Sequence, residues 1–130
     1  MTPLEKERAR WHEILWIVLN SGPRWVSLPP HSTLDYKFSD GVVHIGCDAN
    51  ALCRKYKTGR GPCSCECPIK ARTGKDRCEG SPWDDVYEAL LADLFETDAG
   101  DNLARKLMGD VIYAVEEMTD FLDGLEDPEK

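Results

Sequence analysis

At 130 residues, 42% of them hydrophobic and 31% charged, the chain is sized for one domain with a modest core. Its formal net charge of −8 argues against a dedicated polyanion binder. The longest apolar run, Ile14 to Leu19, falls far short of the roughly 20 residues that cross a bilayer, so no membrane partner is expected.

The chain opens on a helix signal. Thr2 is a good N-cap, Pro3 suits the first helical position, and Glu5 completes a Thr-x-x-Glu capping box. Leu4, Trp11, Ile14, Leu15 and Val18 recur at helical spacing as a buried stripe. Trp16, Ile17 and Leu19 make the last turns apolar nearly all round, which predicts cover from more than one side. Asn20-Ser21-Gly22-Pro23 stops the helix. Residues 24–33, with Pro29-Pro30, read as an extended connection. Leu34, Tyr36 and Phe38 then alternate with Asp35 and Lys37, the period of a half-buried strand. Asp40-Gly41 is a hairpin turn signal, and Val42 to Ile45 form the return strand.

Residues 47–80 hold all six cysteines among glycines, Pro62, Pro68 and many basic residues. Few of them are apolar, which predicts irregular backbone held by something other than apolar burial. Ser81-Pro82-Trp83-Asp84 restarts a helix with another capping box, Asp85 favouring its dipole. Trp83, Val86, Ala89, Leu90 and Leu94 form its inner face. After a loop over 97–101, a last helix runs from about Asn102 to Asp123. Its stripe is Leu103, Leu107, Val111, Ala114, Met118, Phe121 and Leu122. Gly124 ends it, and 125–130 read as a frayed polar tail. The expected fold is α+β and mainly helical: three helices with a short β-hairpin and an irregular zinc-binding loop segment. It forms a single domain over 1–130, divided into 1–23, 24–46, 47–80, 81–124 and 125–130.

The first residues, Met1 to Glu7, lack the basic-then-apolar pattern of a secretory signal, so a reducing cytosolic compartment is expected. Disulfides would not persist there, and six cysteines then point to metal. Their spacings are 6, 10, 2, 2 and 11 residues from Cys47 through Cys53, Cys63, Cys65 and Cys67 to Cys78. The knot Cys63-Ser64-Cys65-Glu66-Cys67-Pro68 supplies two ligands from one turn, and Cys53 and Cys78 flank it almost symmetrically. Tetrahedral structural zinc takes four such thiolates, and in a loop-rich module its binding energy becomes folding energy. An iron–sulfur cluster ranks below zinc, because the spacing does not follow the common ferredoxin runs. His44, three residues before Cys47, is a possible substitute ligand, though a strand residue facing away from the core is the simpler reading. His12 and His31 read as helix-surface and loop residues.

The stretches Asn50-Ala51-Leu52-Cys53-Arg54-Lys55-Tyr56, Cys67-Pro68-Ile69-Lys70, Thr73-Gly74-Lys75 and Cys78-Glu79-Gly80-Ser81-Pro82-Trp83 resemble a group of small proteins of tailed bacteriophages and prophages. The likeness extends along most of the chain, to Glu117-Met118-Thr119-Asp120-Phe121-Leu122. It implies a phage origin and a four-cysteine, zinc-type centre; the group carries no assigned activity. Asn50 and Ser64 stand where that group has cysteines. The candidate tetrad is Cys53, Cys63, Cys67 and Cys78, with Cys47 and Cys65 as alternates.

Charge is unevenly placed. Residues 1–83 carry 13 Lys/Arg against 9 Asp/Glu, a net +4, and residues 84–130 carry 3 against 15, a net −12. The leading expectation is a phage accessory protein in the host cytoplasm that binds a host or phage protein through its acidic helical half. A merely solvated acidic face is the simpler account of that charge. The alternative is nucleic-acid binding by Arg54, Lys55, Lys57, Arg60, Lys70, Arg72, Lys75 and Arg77, which give 54–77 a net +6. Tyr56 is the only aromatic in that stretch, so nucleic-acid binding is expected to be weak at most. No Ser/His/Asp set, phosphate loop or open zinc site is visible, so no enzymatic activity is expected.

Overall fold

A computed structural model describes residues 1–21, 35–38, 40–45, 50–56, 67–75, 80–95 and 101–129, with backbone alone at 35–37, 93–95 and 101–104. The elements are α1 (Pro3–Asn20), β1 (Asp35–Phe38), β2 (Gly41–His44), α2 (Ala51–Tyr56), α3 (Pro68–Thr73), α4 (Trp83–Phe95) and α5 (Asp101–Asp123). The described part is mainly helical, and α5 is the hub: its most extensive packing is against α1 and α4.

The start of α1 forms as the sequence dictates. Thr2 Oγ1 accepts the Glu5 N–H at 3.2 Å, and Glu5 Oε1 accepts the Thr2 N–H at 2.9 Å. Leu4, Trp11, Ile14, Ile17 and Val18 are buried, and Leu15 packs at the edge of the core. Trp16 and Leu19 are 57% and 53% exposed, against the expectation that this end is covered on more than one side.

β1 and β2 pair antiparallel, Tyr36 opposite Val43 and Phe38 opposite Gly41. Phe38, Val43 and Ile45 turn inward and Val42 outward, the alternation that period-two patterning requires. The start of β2 lies on α1. A Cβ at Gly41 would meet Ile17 Cδ1 at 3.0 Å, so only glycine permits that approach without a shift.

The expectation of irregular backbone across 47–80 is corrected. Its described parts include two helices, α2 and α3, and they contribute Ala51, Leu52, Cys53, Tyr56, Cys67, Pro68 and Ile69 to the buried set. Both helices are six residues long, too short to show a hydrophobic period. α2 is capped by Asn50, whose Oδ1 accepts the N–H groups of Leu52 at 2.8 Å and Cys53 at 3.1 Å. α3 follows Cys67 with Pro68 in its first turn, and ends at Gly74, where φ is 72°. That left-handed conformation suits glycine at a helix end.

α4 begins at Trp83, and the Ser81 hydroxyl accepts the Trp83 N–H at 3.3 Å. Val86 and Leu90 are buried as expected. Trp83 stacks on Tyr87 with centroids 5.4 Å apart, and its indole N–H donates to the Ile45 carbonyl at 3.0 Å, fixing α4 to the hairpin. On α5 the buried face is Met108, Val111, Ala114, Val115, Met118, Thr119 and Leu122, with Phe121 at its edge. It includes Met108 and Val115, which the expected stripe omitted.

The last turn of α5 has no basic residue, so its carbonyls depend on a neighbour. Arg8 of α1 supplies the donors. Its Nε reaches Leu122 O at 2.8 Å and its Nη2 reaches Leu125 O at 2.6 Å and Asp123 O at 3.4 Å. The tail expected to fray is anchored here: Leu125 is buried and the Thr2 hydroxyl donates to Asp127. One apolar cluster draws residues from α1, both strands, α2, α3, α4 and α5.

Candidate metal centre and charged surfaces

Cys53 lies in the first turn of α2, and the seating of that turn depends on a carboxylate of α1. Glu7 is fully buried, on the same face as Leu4 and Trp11. Its Oε1 accepts the Ala51 N–H at 3.1 Å, the one first-turn donor of α2 that Asn50 Oδ1 leaves. Its Oε2 accepts the Trp11 indole N–H at 2.9 Å and Arg10 Nη2 at 2.7 Å. Arg10 also donates through Nη1 to the His44 carbonyl at 2.6 Å. A buried charge persists only when paired and hydrogen-bonded, and here every partner comes from a different stretch of backbone or from the next turn. The pair ties α1 to the end of β2 and to the start of α2.

Cys67 stands immediately before α3. Cys53 and Cys67 are both buried, 8% and 6% exposed, and share the apolar core. Cys47, Cys63, Cys65 and Cys78 lie outside the described residues, and among those described no group of three or more His, Cys, Asp or Glu side chains could hold a metal. His44 is half-buried at the end of β2.

Of the eight basic residues, Arg54 and Lys55 lie on α2, Lys70 and Arg72 on α3, and Lys75 just beyond it; Lys57, Arg60 and Arg77 lie outside the described residues. Arg54, Lys55, Arg72 and Lys75 are exposed, and Lys70 is half-buried. One of these cations pairs with the acidic tail and a second lies beside it. Lys55 Nζ is 3.6 Å from Glu129 Oε1, and Arg72 shares a small cleft with Pro68, Ala71, Gly124, Leu125 and Glu126.

The opposite sign concentrates between α4 and α5. Asp85 and Glu88 face Asp110 and Glu117 across an open groove, with Ala89 and Ala114 between them and Tyr113 at its edge, 64% exposed. The Glu117 carboxylate takes a hydrogen bond from the Tyr113 phenol and opposes its ionisation. With a smaller contribution from Asp85, it holds that phenol above its ordinary value of 10.0.

No protein-family model matches the chain, and no curated protein or solved structure matches it. Among the described residues no helix is long and apolar enough to cross a membrane. Glu7, Arg8 and Arg10 escaped the sequence reading. One signal was available: Glu7 is an acid on an apolar stripe, three residues after Leu4 and four before Trp11.

Proposed function

We propose that this is a phage-encoded accessory protein, stabilised by structural zinc, that acts in the host cytoplasm by docking its acidic α4–α5 face onto a basic surface of a host or phage protein, in host takeover or defence evasion. The observation that carries this reading is the groove. Four carboxylates, Asp85, Glu88, Asp110 and Glu117, line it, and an exposed aromatic, Tyr113, stands at its edge. Distributed like charge steers a partner of opposite sign, and an aromatic with a polar tip is the usual anchor of a contact surface. The fourfold negative edge repels nucleic acid and favours a protein partner rich in Lys and Arg. The cysteines supply scaffold chemistry in this reading, Cys53 and Cys67 with two of the remaining four holding one zinc ion, and no catalytic role is assigned.

Affinity capture from bacterial lysate tests it, comparing the wild-type protein with an Asp85→Asn, Glu88→Gln, Asp110→Asn, Glu117→Gln variant. A basic protein retained by the first, released by salt and lost from the second is expected. Equal capture by both proteins refutes the groove as the docking face.

A further inference from the structure

We infer that the acidic tail after α5 is a strap that neutralises the basic surface of α2 and α3 and so blocks its contact with nucleic acid. The inference is independent of the metal and of the α4–α5 groove.

Three observations meet at the tail. First, its path is fixed by contacts that do not involve the basic helices. Arg8 binds the Leu122 and Leu125 carbonyls, Leu125 is buried, Thr2 donates to Asp127, and the Glu129 N–H closes back on Asp127 Oδ1 at 3.0 Å. Second, this path brings carboxylates beside the basic helices. Glu129 reaches Lys55 on α2 at 3.6 Å, and Glu126 lines one cleft with Arg72 on α3. Third, the cations involved belong to the most basic stretch of the chain, the +6 segment 54–77.

Each contact is weak alone. Lys55 and Glu129 are 54% and 34% exposed, and pairs of that kind contribute little to stability. Their effect is on the field. Phosphate binding draws on the number of cations that release counterions, and a carboxylate already beside a cation removes it from that count. Because the tail is covalently attached, its local concentration is high whatever the protein concentration.

The test measures binding of labelled random-sequence single strands and duplexes at physiological salt. Three proteins are compared: wild type, Glu126→Gln/Glu129→Gln, and Glu116→Gln/Asp120→Asn. The last pair carries the same change in charge at two exposed α5 positions outside the tail contact. Neutralising the tail is expected to tighten binding roughly three- to fivefold, the upper scale of one released surface ion pair, while the α5 pair leaves affinity within about twofold. Equal shifts in both variants would mean that net charge alone acts, and no shift in either would mean that the tail does not mask the surface; each overturns the inference. A direct measurement stands beside it. Carbodiimide coupling of the wild-type protein should join Lys55 to Glu129, and peptide mapping that finds no such link also overturns it.

Discussion

Replacing Glu7 by alanine removes the carboxylate on which three elements converge. The Trp11 indole N–H and the Ala51 N–H lose their acceptors, and Arg10 loses its counter-charge. An orphaned buried donor costs about 1–3 kcal/mol, and breaking a buried ion pair from one side costs about 3–5 kcal/mol. These costs overlap, and Arg10 keeps 19% exposure and its bond to the His44 carbonyl, so water recovers part of the loss. A net destabilisation of about 4 kcal/mol is expected, a large share of the roughly 5–15 kcal/mol that holds a domain folded. At about 4 °C per kcal/mol the melting temperature falls by about 15 °C. Glu7→Gln keeps one oxygen for the backbone or the indole and should cost about half as much. Urea unfolding followed by far-ultraviolet circular dichroism measures both. A Glu7→Ala loss below about 1 kcal/mol would refute the claim that this carboxylate holds α2 and the hairpin to α1.

The other expectations concern separate parts of the molecule. Arg8→Ala leaves the last carbonyls of α5 without their charged donor and should cost about 2 kcal/mol in the same assay, with Leu125 and the tail released to proteolysis. Protein purified without chelator should carry about one equivalent of zinc; elemental analysis showing neither zinc nor iron in folded, reduced protein would exclude the metal scaffold. Because Leu52, Tyr56 and Ile69 share the core of the long helices, Cys67→Ser should lower the melting temperature in a single transition. A melt in two steps, the long helices surviving the first, would show that the cysteine segment folds as a separate unit. The Tyr113 phenol should ionise above its ordinary value of 10.0, followed through tyrosinate absorbance, and Glu117→Gln should bring that titration down, since it removes the negative charge opposing phenolate.

The long elements were legible because their signals are local. The Thr2 capping box and the period of Trp11, Ile14 and Val18 each report on a few neighbouring residues, and each is present; the Asp40-Gly41 signal marked the hairpin, with Gly41 itself the first residue of β2. The short helices were not legible, because six residues offer no period, and Asn50 reads as a loop residue until its cap is seen. The apolar poverty of 47–80 was real, but Leu52, Tyr56 and Ile69 are enough when a neighbouring core is there to receive them. The roles of Glu7 and Arg8 depend on residues 44 and 114 positions away, and no local pattern encodes such a partner. Of the candidate tetrad, Cys53 and Cys67 are buried in the core and Cys63 and Cys78 lie outside the described residues; the charge asymmetry, read as a sum over halves, becomes a groove on α4–α5 and a tail against α2.

The bond from Arg8 to the carbonyl of Leu122 spans nearly the whole chain, and it has a temporal meaning. During synthesis α1 emerges well before the helix that covers it. Throughout that interval Leu4, Trp11, Ile14 and Val18 have no α5 to bury them, and Glu7 waits for Ala51. Native contacts so distant in sequence make folding slow for a protein this helical, and an apolar stripe left open on a growing chain invites holdase chaperones or aggregation. The protein's yield in a cell should therefore respond more to chaperone supply and translation rate than its helix content alone would suggest.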